Sequence, residues 1–333
     1  RSIAGNHKPL YDYLSEYNCY QMAFELNMIS KHSKEKKAAH CVDCFTTVSN
    51  ITGLECTQLL EKTPDVITPN GFEDDIVPTG HEYKSKRAEA RSRLKLVAES
   101  LFGYELKKDT LFVSTAGRYE FKNKGIDVFI ESLKRLSQMS HFNREVVAFI
   151  MVPAHIKGPR PDLAARLSNK DAEMDYWNRQ TTHDLYDYQH DSVISSLRWF
   201  HFYNLKNEKV KIIFVPSYLS GNDGIFNMTY WDLLIGMDIS VFPSYYEPWG
   251  YTPLESVAFS VPTITTDLSG FGQWMKDNFE NKHGAVVVHR SDYNFFEVTY
   301  SIAQILNDFL NQNKNEMDDA RKRAFITSKK ALW

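Results

Sequence analysis

Two glutamates flank a turn about two-thirds of the way along the chain. Glu247 and Glu255 have seven residues between them, and Trp249, Gly250 and Thr252 lie in the intervening turn. A strand, a turn and a helix in this order suit a nucleotide sugar, because one carboxylate can bind sugar hydroxyls while the other, a turn into the helix, binds ribose. A diphosphate would then lie over the turn.

A short basic loop follows the apolar run 111–115. Arg118 and Lys124 can close on a diphosphate from two sides, the arginine through its planar fork and the lysine as a point charge. Breaking a sugar–phosphate bond develops negative charge on the departing diphosphate, and fixed donors aimed at that charge lower the barrier. Spacing alone also allows a solvated pair with no such role.

The residues after the first glutamate predict an anion site at the start of a helix. Pro253 suits the first turn of a helix over 253–260. The backbone amides of Gly250, Tyr251 and Thr252 would then add the positive end of the helix dipole. The chain has no Asp-x-Asp triplet to hold a divalent ion. We therefore predict that no metal takes part.

Short apolar runs alternate with helical patterns from residue 109 onward. This alternation predicts a parallel sheet wound on both faces, a Rossmann-like α/β domain. Ligands bind beyond the carboxyl ends of such strands, so both motifs are expected on one rim. The predicted elements are strands 111–115, 146–152, 210–215, 239–242, 263–266 and 285–288, and helices 126–139, 230–237, 253–260 and 271–278.

The first part of the chain predicts the close of a separate α/β layer. Its predicted elements are helix 21–43, strand 45–48, helix 51–62, strand 66–68 and a crossing helix, 82–102. Turn formers and acidic residues at 72–80 indicate a domain boundary. We predict two domains, 1–72 and 73–333, the first being the closing part of an N-terminal Rossmann-like domain.

Residues 157–208 interrupt the alternation with about 50 residues of charged and aromatic sequence that is compatible with helix. A doubly wound sheet does not need so long an insertion. One interpretation is a helical hairpin folded on its own domain, and the other is a subunit contact through exposed aromatic rings. The aromatic residues concerned are Tyr176, Trp177, Tyr186, Tyr188, Trp199, Phe200 and Phe202.

The composition of the chain is that of a globular protein with two hydrophobic cores. The 333 residues are 43% hydrophobic, enough for two cores, and 39 basic against 42 acidic residues give a net charge of −3. The pattern predicts neither a nucleic-acid partner nor an acidic one, and the basic run 321–323 is expected to be solvated. The longest apolar run, 146–154, is far below the roughly 20 residues of a membrane span.

Four cysteines, Cys19, Cys41, Cys44 and Cys56, lie in the first sixth of the chain. The pair Cys41 and Cys44 forms a CxxC, a weak signal for zinc when no further ligands follow at the usual spacing. Structural thiols are the alternative. So few cysteines in so long a chain predict a reducing, cytoplasmic setting.

Three segments carry a family resemblance. The residues at 246–253 are Tyr-Glu-Pro-Trp-Gly-Tyr-Thr-Pro, those at 268–272 are Leu-Ser-Gly-Phe-Gly, and those at 118–125 are Arg-Tyr-Glu-Phe-Lys-Asn-Lys-Gly. Together they resemble the glycogen synthases of the animal and fungal type. The resemblance implies a GT-B glycosyltransferase that transfers glucose from UDP-glucose or ADP-glucose to the non-reducing end of an α-1,4-glucan, with retention and no cofactor.

The resemblance also implies roles on the nucleotide side. Tyr230 would stack on the base, Tyr218 would lie at the edge of the same pocket, and Arg1 would reach the phosphates beside Arg118 and Lys124. The first five residues resemble the segment after the family's active-site histidine, which is therefore expected upstream. The chain begins without methionine, and this favours a missing N-terminal part.

The two carboxylates receive separate roles from the resemblance. Glu247 would hold the donor sugar and stabilise charge at the anomeric carbon, and Glu255 would bind the ribose. The chain has no basic residue within seven positions of Glu247, so we expect a ligand's hydroxyls to satisfy this carboxylate. No second carboxylate is placed as a nucleophile, which favours departure and attack on one face of the sugar.

Two alternatives stay open. A related GT-B enzyme such as a sucrose synthase-like transferase would share the glutamate pair and the basic loop, but not the full 246–253 run. A catalytically silent protein that binds nucleotide sugar or glucan is the other. The partners expected are a nucleoside diphosphate glucose, an α-glucan acceptor and further copies of the chain, with no membrane.

Overall fold

The structure, a computed structural model, describes residues 1–6, 8–142, 144–279 and 284–332 of an α/β protein. The strands are β1 Thr46–Thr47, β2 Val66–Ile67, β3 Leu111–Ala116, β4 Val146–Met151, β5 Ile156–Pro159, β6 His183–Leu185, β7 Val210–Val215, β8 Ile239–Phe242, β9 Thr263–Thr266 and β10 Ala285–Val288. The helices are α1 Ser2–Gly5, α2 Cys19–Glu25, α3 Ile29–Cys41, α4 Asn50–Leu59, α5 Gly80–Phe102, α6 Ile126–Gln138, α7 Pro161–Ser168, α8 Ser192–Trp199, α9 Tyr230–Leu234, α10 Tyr251–Ala258, α11 Gly270–Asn278, α12 Phe295–Leu310 and α13 Lys314–Ser328.

Six parallel strands form the main sheet, in the order β10-β9-β8-β3-β4-β7. Every residue of β3, β4 and β7 is buried. Strands covered on both faces need continuous apolar runs, and this explains the Val, Ile and Phe content of these segments. Helices α6 and α12 pack together on one face, and α5, α10 and α13 contribute to the core of the other. The predicted doubly wound parallel sheet is confirmed.

The strand order reverses between β3 and β8. After β3 the chain adds β4 and β7 on one side, and later adds β8, β9 and β10 on the other. Val113 pairs with Ile239, and the hydroxyls of Ser114 and Ser240 lie 2.9 Å apart across this junction. Loops that leave two such strands run in opposite directions and open a crevice between them, where ligands bind in folds of this kind.

The N-terminal segment differs from its prediction in one helix. The expected helix 21–43 is wrong, since α2 ends at Glu25 and α3 begins at Ile29. Asn27 between them has a φ of 55°, a left-handed conformation that an α-helix does not include. β1 and β2 form a separate two-stranded parallel sheet. The division into domains near residue 72 stays a prediction.

The expected helical insertion at 157–208 is wrong in its secondary structure. The segment contains the antiparallel pair β5 and β6 and only two helices, α7 and α8, of eight residues each. Buried Arg160 holds it together by donating to the carbonyls of Asp175, Asn178 and Thr181. Composition alone did not reveal this, because the bonds that organise the segment join residues distant in sequence.

Candidate functional site

Two loops meet at the crevice between β3 and β8. The basic loop, residues 117–125, follows β3, and the acidic loop, residues 243–250, follows β8. The carbonyl oxygen of Asn123 accepts hydrogen bonds from the amides of Tyr245 and Tyr246, at 2.9 and 3.0 Å. The main chains of the two loops are therefore joined directly.

Glycine at 125 permits this approach. Gly125 has a φ of 66°, and a Cβ added there would overlap the carbonyl oxygen of Pro243 in the acidic loop. A residue with a side chain is sterically strained in this left-handed conformation, and the overlap of its Cβ with Pro243 would add to the strain. The loops can lie this close only because the residue has no side chain.

The closest charged pair at the junction is Lys124 and Glu247. The lysine Nζ contacts a carboxylate oxygen of Glu247, and both side chains are 13% exposed. We expected a ligand's hydroxyls to satisfy the Glu247 carboxylate. This expectation is wrong, because Lys124, which lies 123 positions away in sequence, forms an ion pair with it. The structure brings together the two residues assigned to the diphosphate and to the donor sugar.

Glu120 is a site residue that the sequence analysis missed. One of its oxygens accepts a hydrogen bond from Arg1 at 2.9 Å and forms an ion pair with Nε of Arg118 at 3.2 Å, and the other accepts from Asn123 at 3.0 Å. Burial acts to raise the pKa of Glu120, but Asn123 and the two arginines outweigh it, and the pKa is lowered. The carboxylate thus orients both cations. Its position beside Arg118 in the basic loop was the available signal.

Both arginines remain open to solvent despite this contact. The side chain of Arg118 is 62% exposed and that of Arg1 is 55% exposed. Their remaining donors are thus available to an anion at the crevice. A guanidinium presents five N–H donors, so one carboxylate contact does not exhaust it.

Helix α10 begins at Tyr251, two residues before the predicted start. Gly250 is its N-cap with a φ of 112°, and no side chain of the described residues caps the helix there. The first amides of a helix have no partner within it, so those of Tyr251 and Thr252 can receive an anion. Tyr251 is itself 48% exposed.

Trp249 lies in the core rather than at the surface. Its ring is 4% exposed and packs edge-on against Phe271 and Trp274, with centroids 6.3 and 6.4 Å away. Its carbonyl accepts from the amide of Phe271 at 2.7 Å. This tryptophan anchors the acidic loop to α11, and any contact with a ligand would come from its backbone.

The residues predicted for the nucleoside lie beside one another. The carbonyl of Leu219 accepts from the amide of Tyr230 at 2.9 Å, which joins the segment of Tyr218 to α9. The hydroxyl of Tyr230 is buried and has no hydrogen-bond partner among the described residues. Tyr218 is 79% exposed. An unpaired polar atom at this position suits a site whose ligand supplies the partner.

Glu255 lies close to Tyr230. Burial raises the pKa of Glu255, opposed by a hydrogen bond from Trp231. Burial, with the charge of Glu255 as a second cause, raises the pKa of Tyr230. Sequence reasoning missed Trp231, although an indole N–H beside a carboxylate is the kind of donor that would orient it.

A second missed carboxylate is Glu55 on α4. It is 8% exposed and accepts from the hydroxyls of Tyr11, at 3.0 Å, and Tyr246. Burial raises its pKa. It lines a cavity of about 650 Å³ that also reaches Arg1. Tyr246 therefore connects the acidic loop to the N-terminal segment.

The described residues contain no group of three or more His, Cys, Asp or Glu side chains that could hold a metal ion. The four cysteines are free, with Cys41 and Cys44 exposed. No helix in the described ranges is long and apolar enough to cross a membrane.

The fold is that of the GT-B proteins. HepE from Anabaena, solved in complex with UDP and glucose, aligns with a TM-score of 0.53 at 12% identity over 98% of this chain and 66% of its own. A glycosyltransferase from Rickettsia africae aligns with a TM-score of 0.50 at 15% identity, over 90% of this chain and 62% of its own.

The chain belongs to the glycogen synthase family, whose model matches residues 1–159 and 171–331. It is 31% identical to the liver glycogen [starch] synthase of Rattus norvegicus over 97% of its length. Isoform 1 of the Saccharomyces cerevisiae enzyme is 29% identical over the same share of this chain. The chain spans 54% and 55% of these two relatives, respectively.

Proposed function

We propose that the protein transfers glucose from a nucleoside diphosphate glucose to the non-reducing end of an α-1,4-glucan, as a glycogen (starch) synthase. The contact between Lys124 and Glu247 carries the proposal. In a chain of this family, the lysine proposed for the leaving diphosphate lies next to the carboxylate proposed for the donor sugar, at the crevice where β3 and β8 part, and this supports the proposal.

The leaving group is held by fixed positive groups. Arg1, Arg118 and Lys124 would meet the diphosphate oxygens, and the amides of Tyr251 and Thr252 would add two neutral donors. Preorganised donors stabilise charge that develops as the bond breaks, without reorganisation at the moment of reaction. No metal enters this scheme.

The sugar and nucleoside contacts are proposed from the family resemblance. Glu247 would bind the glucosyl hydroxyls and stabilise positive charge at the anomeric carbon, while Glu255 binds the ribose and Tyr230 stacks on the base, with Tyr218 at its edge. Attack on the face from which the diphosphate leaves retains the configuration. The donor base is proposed to be uracil, with adenine as the alternative.

The protein is also proposed to assemble with further copies of itself through the 157–208 segment and to act in the cytoplasm. Trp177 and Trp199 in this segment are 97% and 78% exposed. Large exposed aromatic rings favour a protein contact. Four free cysteines suit a reducing compartment.

The test is transfer by the full-length protein from labelled UDP-glucose or ADP-glucose, with glucan or fructose as acceptor. We expect label in glucan, released by an amylase specific for α-1,4 bonds. Label in a fructose disaccharide would instead favour a sucrose synthase-like enzyme. Binding of UDP with no transfer to either acceptor would mean a silent binding protein.

A further inference from the structure

Arg290 lies just after β10, and its side chain reaches back to the acidic loop. It is 7% exposed, and its Nη1 donates to the carbonyl of Pro243, the residue after β8. β10 and β8 are separated by β9 in the sheet. Strands β10 and β8 are thus roughly 10 Å apart, at two strand spacings. Only a long side chain such as arginine can span this distance.

The same guanidinium contacts a second point of the acidic loop. It lies 5.4 Å from the centroid of the Tyr245 ring, within range of a cation–π interaction. The amide of Tyr245 donates to Asn123, and its hydroxyl contacts Asp292, two residues from the arginine. Arg290 therefore contacts the acidic loop at two points, Pro243 and Tyr245, that both precede Glu247.

The guanidinium also borders the basic loop. A Cβ added at Gly125 would lie 2.9 Å from its Nη1, so the arginine fills the corner where the two loops meet. Burial lowers the pKa of Arg290 to about 10, opposed by the charge of Asp127 in the first turn of α6. At neutral pH Arg290 is therefore a cation.

We propose that Arg290 is a positioning residue of the transfer reaction, which sets the separation of Glu247 from Lys124 by clamping the Pro243 carbonyl and the Tyr245 ring. The inference rests on the proposed transferase function. A planar guanidinium can donate in its plane and stack through its face at once, and a lysine ammonium cannot. Arginine is thus required by both contacts together.

The experiment compares Arg290→Lys with Arg160→Lys in the full-length protein. Arg160 is a matched control, because it is 3% exposed and its side-chain hydrogen bonds stay within residues 160–181. We expect Arg290→Lys to lower kcat by about 10- to 100-fold, as for a small misplacement of reacting groups. The KM for the donor should change little, because the diphosphate contacts remain. Arg160→Lys should lose thermal stability and keep kcat.

Chemical rescue separates positioning from general stability. In Arg290→Ala, guanidinium at a non-denaturing concentration should restore part of kcat, and urea, which is planar but uncharged, should not. If the alanine variant fails to fold, the lysine variant decides. Unchanged kcat in Arg290→Lys, or an equal loss in Arg160→Lys, would overturn the inference.

The two proposals fail in different ways. An unmodified protein that transfers glucose to no acceptor removes the proposed function, and the positioning role with it. An active unmodified protein whose kcat is insensitive to Arg290→Lys removes the positioning role alone.

Discussion

At the scale of single residues, the site consists of cations and carboxylates that are already paired. Lys124 contacts Glu247, and Glu120 contacts Arg1 and Arg118. Lys124, Glu247 and Glu120 are largely buried, and a buried charge is costly without a partner, so these three side chains keep a defined place before any ligand arrives. A diphosphate would then compete with Glu247 for Lys124, while Arg1 and Arg118 keep further donors open to it.

Glu247→Gln tests the role of the first carboxylate. The glutamine keeps the shape of the side chain but removes the charge, so transfer should fall about 100-fold or more. Affinity for UDP should stay level or rise, because Lys124 loses its competing anion. A transfer assay and calorimetry with UDP on one preparation measure both effects.

The control for this change is Glu297→Gln, at an exposed glutamate of α12. It should leave turnover and affinity unaltered. A structural Glu247 would produce a different pattern, in which turnover, affinity and melting temperature decrease together.

Arg118→Ala tests the proposed contact between this arginine and the diphosphate. The side chain is 62% exposed, so its removal should not affect folding. Turnover should fall about 100-fold, as for the loss of a donor to developing negative charge. Lys322→Ala, at a side chain that is 74% exposed on α13, is the control and should retain full activity. Near-normal turnover in Arg118→Ala would remove the residue from the site.

At the scale of elements, the adjacency of β3 and β8 determines which loops meet. Their loops share main-chain bonds through Asn123, and Gly125 lies so close to Pro243 that an added Cβ would overlap its carbonyl oxygen. A short strand pairing thus brings residues 123 positions apart into contact. The geometry of the site depends on this one junction.

Gly125→Ala should disturb both loops at once. Alanine carries the cost of left-handed backbone, roughly 1–2 kcal/mol, and its Cβ would also overlap Pro243. Gly80→Ala is the matched control, since Gly80 has a φ of 57° and nothing within 4 Å of an added Cβ. Both variants should lose stability in thermal unfolding, but only Gly125→Ala should also lose transfer. If Gly125→Ala and Gly80→Ala had equal transfer activity, the contact between the new Cβ and Pro243 would have to be relieved without moving Lys124 or Glu247.

At the scale of the whole molecule, one buried aspartate ties distant elements together. Asp238, directly before β8, accepts from Arg87 and Arg91 of α5 and Arg321 of α13 at 2.6–2.7 Å. The side chain of Arg321 is only 13% exposed, so the expectation that the 321–323 run is solvated is wrong for this residue. The sequence around Arg321 contains no sign of a partner 83 positions away.

Asp238→Asn should lower the free energy of unfolding by about 3–5 kcal/mol, because three partly buried guanidinium groups would lose the buried anion that they share. Asp318→Asn, at a 48% exposed partner of Arg321, should change it by less than about 0.5 kcal/mol. Denaturant unfolding of the two variants checks this. Equal decreases in the free energy of unfolding would mean that the buried Asp238 stabilises the fold no more than the exposed Asp318 does.

The same aspartate predicts acid sensitivity. Burial acts to raise the pKa of Asp238, but Arg91, Arg87 and Arg321 outweigh it, and the folded pKa lies below the usual value of about 3.9. Its contribution is therefore complete above that value and is lost as the pH falls through the folded pKa. The stability difference between the unmodified protein and Asp238→Asn should shrink below about pH 4. A difference that grows in acid would contradict the assignment.

The oligomer prediction also belongs to this scale. Deleting 157–208 is not a clean test, because Val193, Ile194 and Leu197 of this segment are fully buried. Trp199→Asp at an exposed ring should instead convert the oligomer to a folded monomer in sedimentation at micromolar concentration. Tyr300→Asp, at a 56% exposed ring on α12, is the control. An unmodified protein that sediments as a monomer would contradict the proposal.

The local sequence pattern was sufficient to predict much of the fold and part of the candidate site. Apolar runs separated by helices predicted the six strands of the main sheet, because a strand buried on both faces must be apolar throughout. The position of Glu247 and Lys124 after two of those strands predicted that both lie on one rim. The basic loop with Arg118 and Lys124, and the start of a helix just after Gly250, likewise followed from residues a few positions apart.

Only the tertiary structure decided which side chains contact one another. The break at Asn27, the irregular 157–208 segment, and the contacts of Glu120, Trp231, Arg290 and Asp238 were not predictable. Each depends on which strands are neighbours, and strand order is set by the packing of helices over the whole sheet rather than by any local sequence. Charge pairs that cross this order, such as Lys124 with Glu247, therefore exist only once the sheet has formed.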